Sequence, residues 1–362
     1  MKKLTALLLA MAMTLSLAAC GGSPKPAGSN PAGSPSAGSQ PAGSNSAGSQ
    51  TGTPEVEEVT LNVAYMANWG ALWAVATADA KGYFAEEGIK LNLTVFEDGP
   101  TEIAAMESGS IDISYIGPGA HKLCSTGNAE VVLLQHLGDG DCIIGLNGIK
   151  TIEELRGKKI GYAAGTSSET ILTTALASAG MTLDDVNALS MDPTSLTTAA
   201  LSKSVDAVAA WSPFSLTILA EAEDATDICS NVDFAALVSP GSWVVNPKWA
   251  DANEDVIVRF IRAMYKGMDY AAAATTDDAV AQEVAGYIAA VIASDAETVI
   301  GQRYDGSWKT SKEVVDMLKS GEVVRIYGDQ QATFIANGAV DAAGALAPED
   351  FVRTDLMLTA AG

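Results

Sequence analysis

The chain has 362 residues, with 44 acidic and 21 basic side chains and a formal net charge of −23. A surface of that sign repels nucleic acid and anionic lipid, so neither is expected as a partner of the folded part. Of the four cysteines, Cys124, Cys142 and Cys229 are widely spaced and form no CxxC pair, which argues against a metal site or a disulfide framework and for small buried hydrophobes.

The opening "MKKLTALLLAMAMTLSLAAC" sets Lys2 and Lys3 before an apolar run from Leu4 to Ala19. That run is short for a membrane span and fits an export leader. Its end, "LAAC", resembles the bacterial lipobox, which implies acylation of Cys20 as the first residue of the mature chain. From Gly21 to Pro54 the sequence repeats in fives, as "PAGSN", "PAGSP" and "SAGSQ". Such a segment has no apolar surface to offset the entropy of ordering and predicts a disordered tether. A flexible coil of this length spans about 30–35 Å, enough to keep a folded body near a membrane-embedded partner.

Beyond about residue 55 the chain is too long for one compact core and suits two lobes. "VTLNVAYM" (Val59–Met66) predicts a strand followed by a helix with Trp69, Leu72, Trp73 and Ala76 on its stripe. "IKLNLTVF" precedes "PTEIAAMES", "IDISYIG" precedes "PGAHKLCSTG", and "VVLLQHL" follows. The alternation is that of a parallel α/β sheet. It recurs in "KKIGYAA", "VNALSM" and "VDAVAAW", each leading into a helix. Met106–Asp112 and Leu201–Asp206 echo one another as helix ends turning into strands.

Cys142–Gly157 and Phe234–Val245 read as two strands crossing between the lobes, which makes a hinge and a cleft. The expected divisions are a leader at 1–20, a linker at 21–55, a first lobe from 56–145 and 238–362, and a second lobe from 146–237. After Pro247 the chain turns helical, with Val256, Ile257, Phe260, Ile261, Met264 and Tyr265 on one face that would cover the first lobe.

Motifs for bond chemistry are missing from this sequence. There is no HExxH, phosphate loop, GxGxxG or GxSxG, and His121 and His136 sit in apolar surroundings. Strand-to-helix seams stand out instead. In "KKIGYAAGTSSETIL" the strand breaks at Gly165 and restarts as a helix through Thr166, Ser167, Ser168 and Glu169. Helix starts leave N–H groups without intrahelical partners and attract polar or anionic groups. Thr166 and Glu169 also form a capping-box pattern that would satisfy two of those donors. Gly117, Pro118 and Gly119 begin a second helix, with proline at its first turn, and Met66–Trp73 begins a third. All follow strands, where ligands sit in open α/β sheets. Trp69, Trp211 and Trp243 could wall a cleft or fill a core, whereas Trp73, one turn after Trp69, reads as buried.

Taken together, "KGYFAEEGIKLNL", "AAMESGSIDISYIG", "IKTIEELRGKKIGYAAGTSSETIL", "SVDAVAAWSPF" and "FIANGAVDAAGALAPEDFVRTDLML" resemble the substrate-binding proteins of ABC importers for nitrate, sulfonates, taurine and thiamine-pyrimidine precursors. The resemblance spans Val59–Leu358. It implies a two-lobed α/β periplasmic-binding-protein fold of type II, a small-molecule ligand, an ABC permease and its ATPase as partners, a monomeric, extracytoplasmic protein, and neither cofactor nor metal. It also implies ligand contact at Gly117–Gly119, at Gly165–Ser168 and at Trp211.

Glu169 departs from the pattern, because sulfonate binders of the family carry a histidine nearby. Asp139 and Asp141 place acids beside the first crossing. A zwitterion would suit them, with its anionic end on helix N–H groups and its ammonium on Asp141 or Glu169. The expected ligand is accordingly a small organic anion or zwitterion of the sulfonate or taurine type. Three alternatives remain: an aromatic heterocycle stacked on Trp69 or Trp211, a pyrimidine-synthase-like enzyme using His121, and a sensory module.

Overall fold

The computed structural model describes residues 57–362. Cys20, the leader and all but the last residues before the first strand lie outside the described residues. The strands are β1 (Val59–Met66), β2 (Ile89–Phe96), β3 (Ile113–Ile116), β4 (Glu130–Gly138), β5 (Cys142–Gly145), β6 (Lys159–Tyr162), β7 (Asn187–Ser190), β8 (Ala207–Ala210), β9 (Thr226–Ser230), β10 (Pro240–Val245) and β11 (Gly306–Trp308). The helices that matter for the cleft are α1 (Trp69–Ala80), α2 (Gly99–Glu107), α3 (Ser167–Ser178) and α4 (Glu254–Ala271).

Two sheets form, one per lobe, with orders β11-β4-β10-β3-β1-β2 and β7-β6-β8-β5-β9. They share a plan. In the first lobe β2, β1 and β3 run parallel, and β10 is inserted antiparallel between β3 and β4. In the second, β7, β6 and β8 run parallel, and β5 is inserted antiparallel between β8 and β9. Each inserted strand arrives from the other lobe, so the chain crosses once between Gly138 and Cys142 and again between Ser230 and Pro240.

This moves the first crossing. Cys142–Gly157 was expected as the first crossing and the first lobe to run to 145, but Cys142–Gly145 is an interior strand of the second sheet, paired with β8 and β9 on its two sides. The crossing itself is the short run Asp139–Asp141. Likewise, Pro240–Val245 is an interior strand of the first sheet.

Central strands β3 and β8 are buried on both faces, which fits the continuous apolar run of β8; on β3 the buried Ser114 hydroxyl donates to Glu102 at 2.6 Å. The edge strand β2 is half exposed. The first lobe has one large core around Trp73, Trp243 and Phe260. In the second lobe the two faces of the sheet carry separate apolar layers. Cys142 stands opposite Ser230 and Cys229 opposite Ile143, so these thiols point to opposite faces. Both are free and buried, as is Cys124. On α4 the predicted stripe from Val256 to Tyr265 is buried, and the helix packs against α1.

Candidate ligand-binding cleft

The helix starts at the carboxyl ends of the strands face each other across the hinge, and the lobes are closed on one another. The clearest sign is at Gly119, which follows β3 in the first lobe. A Cβ there would lie 1.9 Å from the carbonyl carbon of Thr166 and 2.3 Å from the nitrogen of Ser167, at the start of α3 in the second lobe. Only a residue without a side chain permits that approach. Gly165 has φ of +83° and packs on Pro100 of the first lobe. Lys122 Nζ meets Glu169 Oε2 at 2.9 Å across the same seam, and the Ser212 hydroxyl of the second lobe donates to Asp305 of the first.

Between the lobes lies a cavity of about 90 Å³. Aromatic rings form much of its wall: Trp69, Tyr115, His136 and Trp308 from the first lobe and Trp211 from the second. The imidazole of His136 lies nearly parallel to the Tyr115 ring, 6.1 Å between centroids, and 4.7 Å from that of Trp308. Burial lowers its pKa to about 3, so it is one more neutral ring at physiological pH.

The charged residues lining the cavity are all carboxylates: Asp98, Asp141 and Asp305. No lysine or arginine is among the described residues that line it. Asp141 is buried in the first crossing, where its Oδ1 accepts from the Ser167 hydroxyl at 2.6 Å and its Oδ2 from Ser239 at 3.1 Å. Burial pushes its pKa up to about 6, against the opposing pull of the two hydroxyls. Burial also raises Asp305, with the neighbouring Asp139 adding to the effect and Ser212 opposing it. These are acids held without a matching cation, which costs free energy that a cationic guest would offset.

At the helix starts, much of the donor capacity is already used by the chain's own oxygens. On α1 the Asn68 side chain accepts from Ala71 N–H at 2.8 Å, and Gln302 Oε1 accepts from Trp69 N–H at 2.9 Å. On α2 Asp98 accepts from Thr101 N–H. On α3 Thr166 Oγ1 accepts from Ser168 N–H, and Glu169 Oε2 accepts from Gly165 N–H. Among the described residues, the N–H groups of Gly70 and Ser167 have no such partner.

Of the sequence-derived candidates, Trp69, Gly117, Pro118, Gly119, Asp141, Thr166, Ser167 and Trp211 are brought together around the cavity. Four are not. Trp243 is fully buried in β10 and donates its indole N–H to Gln135. Gly165 packs on Pro100. Ser168 is turned inward, donating to the Ala209 carbonyl. Glu169 is held by Lys122 and by Gly165 N–H and does not line the cavity, so it cannot meet a ligand ammonium there. His121 is buried behind the cavity, edge-on to Tyr327 at 5.2 Å.

Sequence reasoning missed Asp98, Tyr115, His136, Ser212, Ser239, Gln302, Asp305 and Trp308. Asp98 was reachable by the seam rule, since it follows β2 and caps α2. Gln302, Asp305 and Trp308 come from a segment that read only as covering helix.

The NMT1/THI5-like family model matches residues 72–277. A protein of Brucella abortus (strain 2308), named as a binding protein, is 29% identical over 83% of this chain and 92% of its own length. The alkanesulfonate-binding protein SsuA from Xanthomonas axonopodis pv. citri, solved bound to MOPS, superposes with a TM-score of 0.62 at 17% identity, covering 82% of this chain and 99% of that one. The desulfurization enzyme DSZB shares the fold at a TM-score of 0.58 and 14% identity, covering 83% and 98%. The fold therefore serves both binding and catalysis among these neighbours. With its paired sheets, hinge and interlobe cavity, the chain has the two-lobed periplasmic-binding-protein fold and belongs to the NMT1/THI5-like family.

Proposed function

We propose that this is an extracytoplasmic solute-binding protein, lipid-anchored through Cys20, that closes on a small ligand and presents it to an ABC permease and its ATPase. Ligand contacts from both lobes favour the closed form, and the closed form is what a permease can distinguish. The favoured ligand is a small, flat, nitrogen-bearing heterocycle that is protonated or donates hydrogen bonds, such as an aminopyrimidine. One observation carries this reading: the cavity is walled by aromatic rings, and its charged groups are all carboxylates. Rings offer stacking and cation–π attraction, and raised carboxyl groups gain from a cationic or donor nitrogen.

A second reading keeps the zwitterion of the sulfonate or taurine type. The free N–H groups of Gly70 and Ser167 favour it, as does the likeness to an alkanesulfonate-binding protein. Its ammonium would meet Asp305 or Asp141. An enzymatic reading is weaker, since His121, its candidate base, is outside the cavity. Thermal-shift titration with 4-aminopyrimidine, taurine, ethanesulfonate and nitrate tests the assignment. Stabilisation by 4-aminopyrimidine above the others supports it, and stabilisation by nitrate or ethanesulfonate alone overturns it.

A further inference from the structure

Gln302 lies in the turn Gly301–Tyr304, 233 positions from Trp69, and is only 4% exposed. It lines the cavity, and its Oε1 accepts from the Trp69 backbone N–H at 2.9 Å. An N–H can only donate, so the amide oxygen is fixed toward the helix and the NH2 group is turned away. Among the described residues, the hydrogen bond that the Gln302 side chain makes is the one from Trp69 N–H to its Oε1. The α1 start carries no acidic residue in its first turn, so its paired donors are met by neutral oxygens, those of Asn68 and Gln302.

We propose that Gln302 is a specificity-determining residue that weakens anion binding at the start of α1 by taking up the Trp69 N–H, leaving the neighbouring Gly70 N–H free. It occupies the N–H that would otherwise attract a sulfonate or nitrate oxygen. In its place it offers a neutral amide donor, suited to a ring nitrogen or carbonyl acceptor. The inference rests on the heterocycle reading of the same cleft and names the residue that sets it against the anionic alternative.

The test is calorimetric titration of wild type and three variants with ethanesulfonate, nitrate and 4-aminopyrimidine, after circular dichroism has shown which variants fold. Gln302→Met and Gln302→Ala remove the acceptor and free the Trp69 N–H. Gln302→Glu keeps an acceptor oxygen on it. The expected result is a gain in ethanesulfonate affinity on the order of tenfold or more for the Met and Ala variants, with no gain for the Glu variant.

A folded Met or Ala variant without that gain overturns the proposal. So does an equal gain in all three, or failure of both Met and Ala variants to fold, which would make Gln302 a structural cap only. If wild type does not bind 4-aminopyrimidine while the anion gain appears, the ligand reading fails and the role of Gln302 stands. Tight ethanesulfonate binding by wild type contradicts both.

Discussion

Lys122 of the first lobe and Glu169 of the second meet at 2.9 Å across the mouth of the cleft, with side chains 21% and 26% exposed. The pair exists only when the lobes are together. A partly exposed ion pair contributes about 0.5–1 kcal/mol, so Lys122→Met should weaken ligand affinity by roughly two- to fivefold. Glu169→Gln keeps an oxygen to accept from Gly165 N–H within the same lobe and should cost about as much as Lys122→Met. A double-mutant cycle read by calorimetry checks the coupling. Fully additive losses would show that the pair does not act as a closed-state contact.

Gly119 sets a steric condition for closure. Adding one methyl group places it 1.9 Å from the Thr166 carbonyl carbon and 2.3 Å from the Ser167 nitrogen, both of them backbone atoms that cannot rotate aside. Gly119→Ala should leave each lobe folded while keeping them apart. The expected outcome is a loss of affinity on the order of a hundredfold or more, with a larger radius of gyration by small-angle scattering. Unchanged affinity would mean that the seam yields by backbone shift.

Asp141 gives the protein a pH signature. Its pKa is about 6 in the folded chain, above the ordinary value near 3.9 that the unfolded chain has. Between those values the folded form holds the extra proton, so this group's contribution is fully present below about pH 4 and is lost as pH rises through 6. At neutral pH the ionised acid costs on the order of 2–3 kcal/mol. Asp141→Asn should raise the melting temperature at pH 7.5 and flatten its fall between pH 4 and 6. A variant less stable at pH 7.5 would show that the bonds from Ser167 and Ser239 outweigh desolvation. Binding of a cationic ligand should strengthen as pH rises through 6.

Asp305 is the acid that joins the cavity to the closing contact with Ser212. Asp305→Asn keeps an acceptor for the hydroxyl but removes the charge. A protonated-nitrogen ligand should then bind about tenfold to a hundredfold more weakly, while the melting temperature at neutral pH rises, because burial disfavours the ionised Asp305. Equal binding of charged and neutral ligands by both forms would place the cation elsewhere.

The seams were legible because their chemistry is local. Asn68, Asp98 and Thr166 each follow a strand and cap the next helix, and short-range spacing shows that much. The capping box at Thr166 is displaced in detail: Thr166 accepts from Ser168 N–H, and Glu169 reaches back to Gly165 N–H. Alternation also exposed both sheets, but not that Cys142–Gly145 is inserted into the second, since pairing partners 60 or more positions away leave no local trace. Trp243 has the size of a cleft wall, yet Gln135, from a neighbouring strand, holds its indole in the core. Gln302, Asp305 and Trp308 were invisible for the same reason, because the turn that carries them meets the cleft only through tertiary packing.

The most direct test is calorimetric titration of the ligand-stripped protein at pH 7.5 with 4-aminopyrimidine against nitrate and ethanesulfonate. Saturable 1:1 binding of the heterocycle, abolished in Gly119→Ala and absent for both anions, is the predicted result. Binding of nitrate or ethanesulfonate in preference to the heterocycle would contradict it.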